Sequence, residues 1–165
     1  ELFEQKEYYL SELIMAGELL KNIMVNLKPD TEEESENILG TVLIGTVEGD
    51  VHNIGKDIVI NVVKAHGYKV IDLGVDVAPE KFVEGIKEYN PQVVGLSGLL
   101  TEAIEPMKNT IENIKSSGLR EDVKIIIGGG IVSEDVKSYV GADSWANNVS
   151  LGLKGINDLV GEQNA

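Results

Sequence analysis

Short apolar runs alternate with longer amphipathic segments along most of this chain, and that alternation limits the folds open to it more than any other feature. The runs fall at 38–44, 69–73, 93–96 and 123–127, with a weaker one at 142–146. Between them, segments 55–66, 79–88, 102–116 and 134–139 carry apolar residues at helical spacing, and a last segment covers 149–160. Such runs read as strands buried on both faces. Helical crossovers between strands of that kind imply a parallel sheet sandwiched between helices. The punctuation agrees: Pro79 suits the first turn of a helix, Thr101 and Ser133 suit N-caps, and Gly67 and Gly118 suit helix ends. The units predict an α/β, flavodoxin-like (Rossmann-like) five-stranded parallel sheet with helices on both faces. The strand order is taken by analogy, because periodicity does not contain it.

Ahead of these units, Leu13, Ala16, Leu20, Ile23, Met24 and Leu27 recur at helical spacing within 8–27, and Pro29 ends the segment. A lone helix cannot bury its own apolar face, so this one either lies on the main domain or belongs to a helical bundle. The acidic stretch 30–36 reads as a solvated linker. The chain lacks an initiator Met and a signal peptide, and is expected to begin partway through a longer protein.

With 165 residues, the chain has room for one good-sized domain and a small appendage. Its net charge of -14 would be repelled by a nucleic-acid backbone or an anionic membrane, so neither is an expected partner. No run is long and apolar enough to span a bilayer. The absence of cysteine removes disulfides, thiolate zinc sites and protein-held iron–sulfur clusters, and fits a cytoplasmic location.

Ligands of open parallel sheets bind beyond the carboxyl ends of the strands. The segments to read for chemistry therefore follow the apolar runs: 46–56, 97–101, 128–130 and 146–148. The first offers one imidazole, His52, ahead of a helix, with Asp50 two residues earlier. Neutral imidazole is the commonest protein ligand of transition metals, and a carboxylate on its other nitrogen would fix the tautomer. The plainer reading is a surface histidine beside a turn aspartate. A lone His cannot build a zinc site, so a metal here would have to bring most of its ligands with it, as a macrocycle does. Ser97 and Thr101 supply hydroxyls around Leu99, and Gly128-Gly129-Gly130 lets backbone lie against a flat ligand or a narrow tail. No Walker sequence is present and no G-x-G-x-x-G opens the first helix, which leaves nucleotide binding poorly supported. His66 suits a helix end, Trp145 packing, and Met15, Met24 and Met107 core or interface positions.

Taken together, Asp50-x-His52-x-x-Gly55, then Ser97-x-Leu99, then Gly128-Gly129, each after a strand, resemble the signature of cobalamin (vitamin B12) binding domains. Residues 49–56 and 70–77 look like the corrinoid methyl-carrier proteins of the methanol and methylamine systems, and are similar to the cobalamin module of methionine synthase. The resemblance implies a corrinoid held with its own base detached and His52 as the axial cobalt ligand. Asp50 would hydrogen-bond His52, and Ser97 would extend that relay. The cofactor-binding residues implied are Asp50, Val51, His52, Asn53, Ile54, Gly55, Ser97, Leu99, Thr101, Gly128 and Gly129. Asn53 departs from the Asp usual in these carriers. The implied function is to carry a methyl group on cobalt between a donor methyltransferase and an acceptor methyltransferase, the implied partners. Residues 1–30 would then be the end of a helical cap, 31–37 a linker and 38–165 the cobalamin-binding domain. Alternatives are the B12 domain of an adenosylcobalamin mutase, a B12-binding sensory or regulatory module, and a receiver-like or flavin-binding domain of the same fold.

Overall fold

The computed structural model of the protein describes residues 38–163, which fall within one compact unit, Glu36–Ala165. The helix expected at 8–27 and the linker expected at 31–37 lie outside the described residues. Strands and helices alternate in chain order: β1 (Thr41–Thr46), α1 (Ile54–Ala65), β2 (Lys69–Asp72), α2 (Pro79–Tyr89), β3 (Val93–Ser97), a 3₁₀ turn (Thr101–Ala103), α3 (Ile104–Ser116), β4 (Lys124–Gly128), α4 (Glu134–Val140), β5 (Ser144–Ala146) and α5 (Val149–Gln163). The strands form one parallel sheet in the order β2-β1-β3-β4-β5, the flavodoxin-like arrangement. Val42 pairs with Val70 on one side and Val93 on the other, and Val94 pairs with Ile125.

Because successive strand residues face opposite ways, the sheet has two apolar faces and each carries its own core. On one face Leu43, Val94, Leu96, Ile125 and Ile127 pack against Phe82 of α2, Met107, Ile111 and Ile114 of α3, and Val140 of α4. On the other, Val42, Ile44, Val93 and Ile126 pack against Ile60 and Val63 of α1 and against Ile156, Leu159 and Val160 of α5.

Local signals hold in most places. Pro79 opens α2, Ser133 accepts a hydrogen bond from the Val136 amide at 3.3 Å, and Gly67 and Gly118 follow α1 and α3 with positive φ. Two differences bear on the site. The first strand begins later than the apolar run 38–44 and continues to Thr46, leaving Ile38 and Leu39 exposed. Gly45 and Thr46 are not apolar, yet both belong in the strand. A Cβ at Gly45 would stand 2.8 Å from the Phe82 ring, and the fully buried Thr46 donates its hydroxyl to the His52 carbonyl at 3.1 Å. Thr101 does not cap a helix through its side chain; its hydroxyl donates to the Glu102 carboxylate at 3.1 Å.

Phe82 is fully buried against the site-bearing strand. Phe82→Ala is expected to lower the free energy of urea unfolding by about 3–5 kcal/mol, the usual cost of deleting a buried aromatic side chain. A loss below about 1 kcal/mol would mean that the helices of this face do not close over β1 as described.

Candidate cofactor site

The carboxyl ends of β1, β3 and β4 bring three loops to one rim. The loop after β1 runs from Val47 to Asn53 and delivers Asp50 and His52 just before α1. Asp50 is 1% exposed. One of its oxygens accepts from the His52 amide at 2.9 Å and lies 2.7 Å from His52 Nδ1. Its other oxygen accepts from the Leu99 amide at 2.7 Å and the Leu100 amide at 3.3 Å, both in the loop after β3. Burial pushes the Asp50 carboxyl up. The hydrogen bonds from the His52 amide, the Leu99 amide, the His52 ring and the Leu100 amide outweigh that and bring it down to about 2. An ionised carboxylate only accepts, so Nδ1 of His52 carries the proton in this pair. That leaves Nε2 with its lone pair and no partner among the described residues, on a side chain 47% exposed.

Beside this imidazole lies a cleft of about 460 Å³ between α1, α5 and the ends of β3 and β4. Val51, His52, Asn53, Ile54, Gly55, Ser97, Leu99, Gly128 and Gly129 all line it. Asp50 stands behind His52 rather than in the cleft wall, and Thr101 lies exposed outside it. Ser97 lines the cleft, but the hydrogen bonds from the β3 loop to Asp50 come from the Leu99 and Leu100 amides, and none comes from the Ser97 hydroxyl. Gly129 has φ 134° and its Cβ would fall 1.8 Å from the Gly98 carbonyl oxygen, so only glycine fits. At Gly128 the nearest atom to an added Cβ is the Ala146 carbonyl at 3.7 Å, so there the missing side chain keeps the cleft open.

Asn148, from the segment 146–148, also lines the cleft, and other cleft residues were not singled out from sequence: Gly95, Val59 and Gly152. Two carried a signal. Gly95 interrupts a buried strand and Gly152 interrupts a helix, positions where glycine weakens the element and often marks close approach of something else. A Cβ at Gly152 would sit 3.8 Å from that of Ala146, so a methyl group would be accommodated while a longer side chain would enter the cleft.

The rim around His52 is apolar. Val51, Ile54, Leu99 and Leu100 are between 44% and 66% exposed. Among the described residues no cluster of three His, Cys, Asp or Glu side chains could hold a metal ion. A single free imidazole nitrogen on an apolar platform, beside a narrow small-residue cleft, fits a metal already held in a flat macrocycle with an appended tail. It does not fit a bare ion.

The B12 binding domain family matches residues 40–149. The chain belongs to that family. It is 39% identical over 152 residues to trimethylamine corrinoid protein 1 of Methanosarcina acetivorans, covering 91% of this chain and 70% of the relative. Among solved structures it is similar to a cobalamin-binding protein from Desulfitobacterium hafniense, with 42% identity, a TM-score of 0.71 and coverage of 96% of this chain and 74% of that one. It is also similar to the monomethylamine corrinoid protein of Methanosarcina barkeri, with 30% identity, a TM-score of 0.78 and coverage of 96% and 75%. The protein thus binds a corrinoid. No described helix is long and apolar enough to cross a membrane.

The lowered Asp50 carboxyl ties stability to pH. A folded-state value below the unfolded one contributes stability that is complete above the unfolded value and is lost as pH falls through the folded one. For a drop from 3.8 to about 2 that contribution is on the order of 2 kcal/mol. In the corrinoid-free protein, Asp50→Ala is expected to lower urea stability by about that amount at pH 7, with the gap to the parent roughly halved by pH 3. An equal gap at both pH values would show that folding does not lower the Asp50 carboxyl.

Proposed function

We propose that this chain carries a methyl group on the cobalt of its bound corrinoid, between a methyltransferase that supplies it and another that takes it away, and that His52 is the axial cobalt ligand. The observation that carries the reading is the 2.7 Å contact of Asp50 with His52 Nδ1, which leaves Nε2 free on the apolar rim. When bound, the corrinoid supplies a metal centre able to accept a methyl group and yield it to a nucleophile.

The chain's own residues then have separable tasks. His52 would offer Nε2 to the metal. Asp50, ionised and buried, holds the ring in one tautomer and orientation and makes Nε2 a better donor. Val51, Asn53, Ile54 and Leu99, which line the cleft, and Thr101, outside it, would border the corrinoid ring. Gly55, Ser97, Gly128 and Gly129 flank the cleft and would border a detached nucleotide tail. Relatives named for trimethylamine and monomethylamine support methyl carriage over a mutase or sensory role. Residues 1–30 would belong to a helical bundle domain, 31–37 to the linker and 38–165 to the corrinoid domain, working in the cytoplasm with its two methyltransferase partners.

His52→Ala should change the visible spectrum of the cobalamin-loaded protein from histidine-bound to water-bound, and an unchanged spectrum would remove His52 from the metal. Gly152→Leu separates folding from tail binding. Replacing a helical glycine should leave the fold as stable or more so, by about 0.5–1 kcal/mol. Filling the cleft should weaken cobalamin binding about tenfold or more, measured by equilibrium titration. Undiminished affinity would place the tail elsewhere.

A further inference from the structure

The loop between β2 and α2 lines no part of the cleft, yet it grips the His52 segment on both sides. On the upstream side, the Asp76 amide donates to the Asp50 carbonyl at 2.9 Å and the Asp76 carboxylate accepts from the Gly49 amide at 2.7 Å. On the downstream side, Lys56, in the first turn of α1, donates to Asp72 at the end of β2 at 2.6 Å. Asp72 uses the same oxygen to accept from the Gly74 amide at 2.9 Å, which ties the salt bridge to the loop itself.

Both grips use residues that are poor choices on local grounds. Asp76 has φ 52°, in the left-handed region where a glycine would be unstrained. What a glycine would not supply is the acceptor for the Gly49 amide. The Lys56 side chain is only 2% exposed while its partner Asp72 is 38% exposed. Burying an ammonium group contributes little net stability against an apolar side chain of the same length. What it does supply is a directed bond between α1 and β2 four residues after His52. Two locally unfavourable choices, Asp76 in the loop and Lys56 in α1, therefore serve the two flanks of the same short segment.

We propose that Asp76 and the Lys56–Asp72 pair are positioning residues for the axial ligand: they clamp the 49–56 segment at its ends and so fix where His52 Nε2 stands above the rim. The proposal rests on the reading of His52 as the cobalt ligand. The clamp acts on the backbone of the loop, while Asp50 acts on the ring, so the two are independent constraints on one atom.

The test uses Asp76→Gly, Asp76→Asn and Lys56→Met in the full chain loaded with cobalamin, with His52→Ala as the reference for a ring-free metal. Asp76→Gly relieves the backbone and removes only the side-chain acceptor. Asp76→Asn keeps an acceptor oxygen in place. Lys56→Met keeps the buried stem and leaves Asp72 in water. The visible spectrum reads the ratio of histidine-bound to histidine-free cobalamin. Asp76→Gly and Lys56→Met should each shift that ratio about fivefold toward the free form, the effect of losing one such bond, while Asp76→Asn stays near the parent. In the corrinoid-free protein, Asp76→Gly should speed amide exchange at Gly49 about fivefold with global stability unchanged. Parental ratios in both disrupting variants, alongside a shifted His52→Ala, would overturn the clamp while leaving the ligand reading intact. A fall in cobalamin affinity with the ratio unchanged would overturn it equally. A parent spectrum indistinguishable from that of His52→Ala would overturn the ligand reading, and the clamp with it.

Discussion

The site is organised around one buried negative charge. An ionised carboxylate taken almost wholly out of water is costly unless donors surround it. Asp50 meets four: the amide and ring of His52 on one oxygen, and the amides of Leu99 and Leu100 on the other. That distribution joins the loop after β1 to the loop after β3 and turns the imidazole at the same time. Removing the charge would release both loops and the ring together, so ligand orientation and local folding share one cause. The donors are mostly main-chain, which frees the side chains of the β3 loop to form the apolar rim.

The place of this charge follows from the strand order. After β1 the chain moves outward to β2 and then returns across to β3, so β1 and β3 are neighbours whose following segments diverge to opposite faces of the sheet. Divergence opens a crevice at their carboxyl ends, the usual ligand position in doubly wound sheets. Here Asp50 bridges that crevice. The cleft extends from it along the α1 and α5 side, where Gly95, Gly128 and Gly152 withhold side chains between the sheet and those helices. The opposite face is packed by Phe82, Met107 and Ile114.

Much of this was legible before any coordinates. The alternation of runs and amphipathic segments carries the sheet and its helices because strands covered on both sides must be uniformly apolar and crossovers must be amphipathic. Asp50, His52, Gly55, Ser97, Leu99, Gly128 and Gly129 stood out because they follow strands and match a known pattern. What was not legible depends on contacts between distant segments. Nothing local in Leu99-Leu100 says that their amides serve Asp50. Thr101 looked like a helix cap, but a 3₁₀ turn intervenes and its hydroxyl finds Glu102. Gly45 and Thr46 lie beyond the apolar run 38–44, yet both continue the strand, against Phe82 and the His52 carbonyl respectively. Gly152 is the instructive case. A glycine inside a helix is a local weakness, and it becomes a signal only once the helix is known to face the cleft.

Affinity and reactivity are assigned to different groups at this rim. Val51, Ile54, Leu99 and Leu100 are exposed apolar side chains that gain by being covered, and covering them needs only a flat apolar face. Small residues along the cleft add surface for a tail without adding charge. As the proposed ligand, the imidazole would contribute a single coordinate bond, offset by desolvation of a ring that is otherwise half in water. Holding the cofactor therefore does not require His52 to be engaged at every moment. A ligand that can leave without releasing what it binds suits a metal whose preferred coordination changes during its work, provided the ring returns to the same place. Return would be secured by a carboxylate fixed by main-chain donors behind the ring and by a loop tied upstream to Asp76 and downstream to Asp72 of β2.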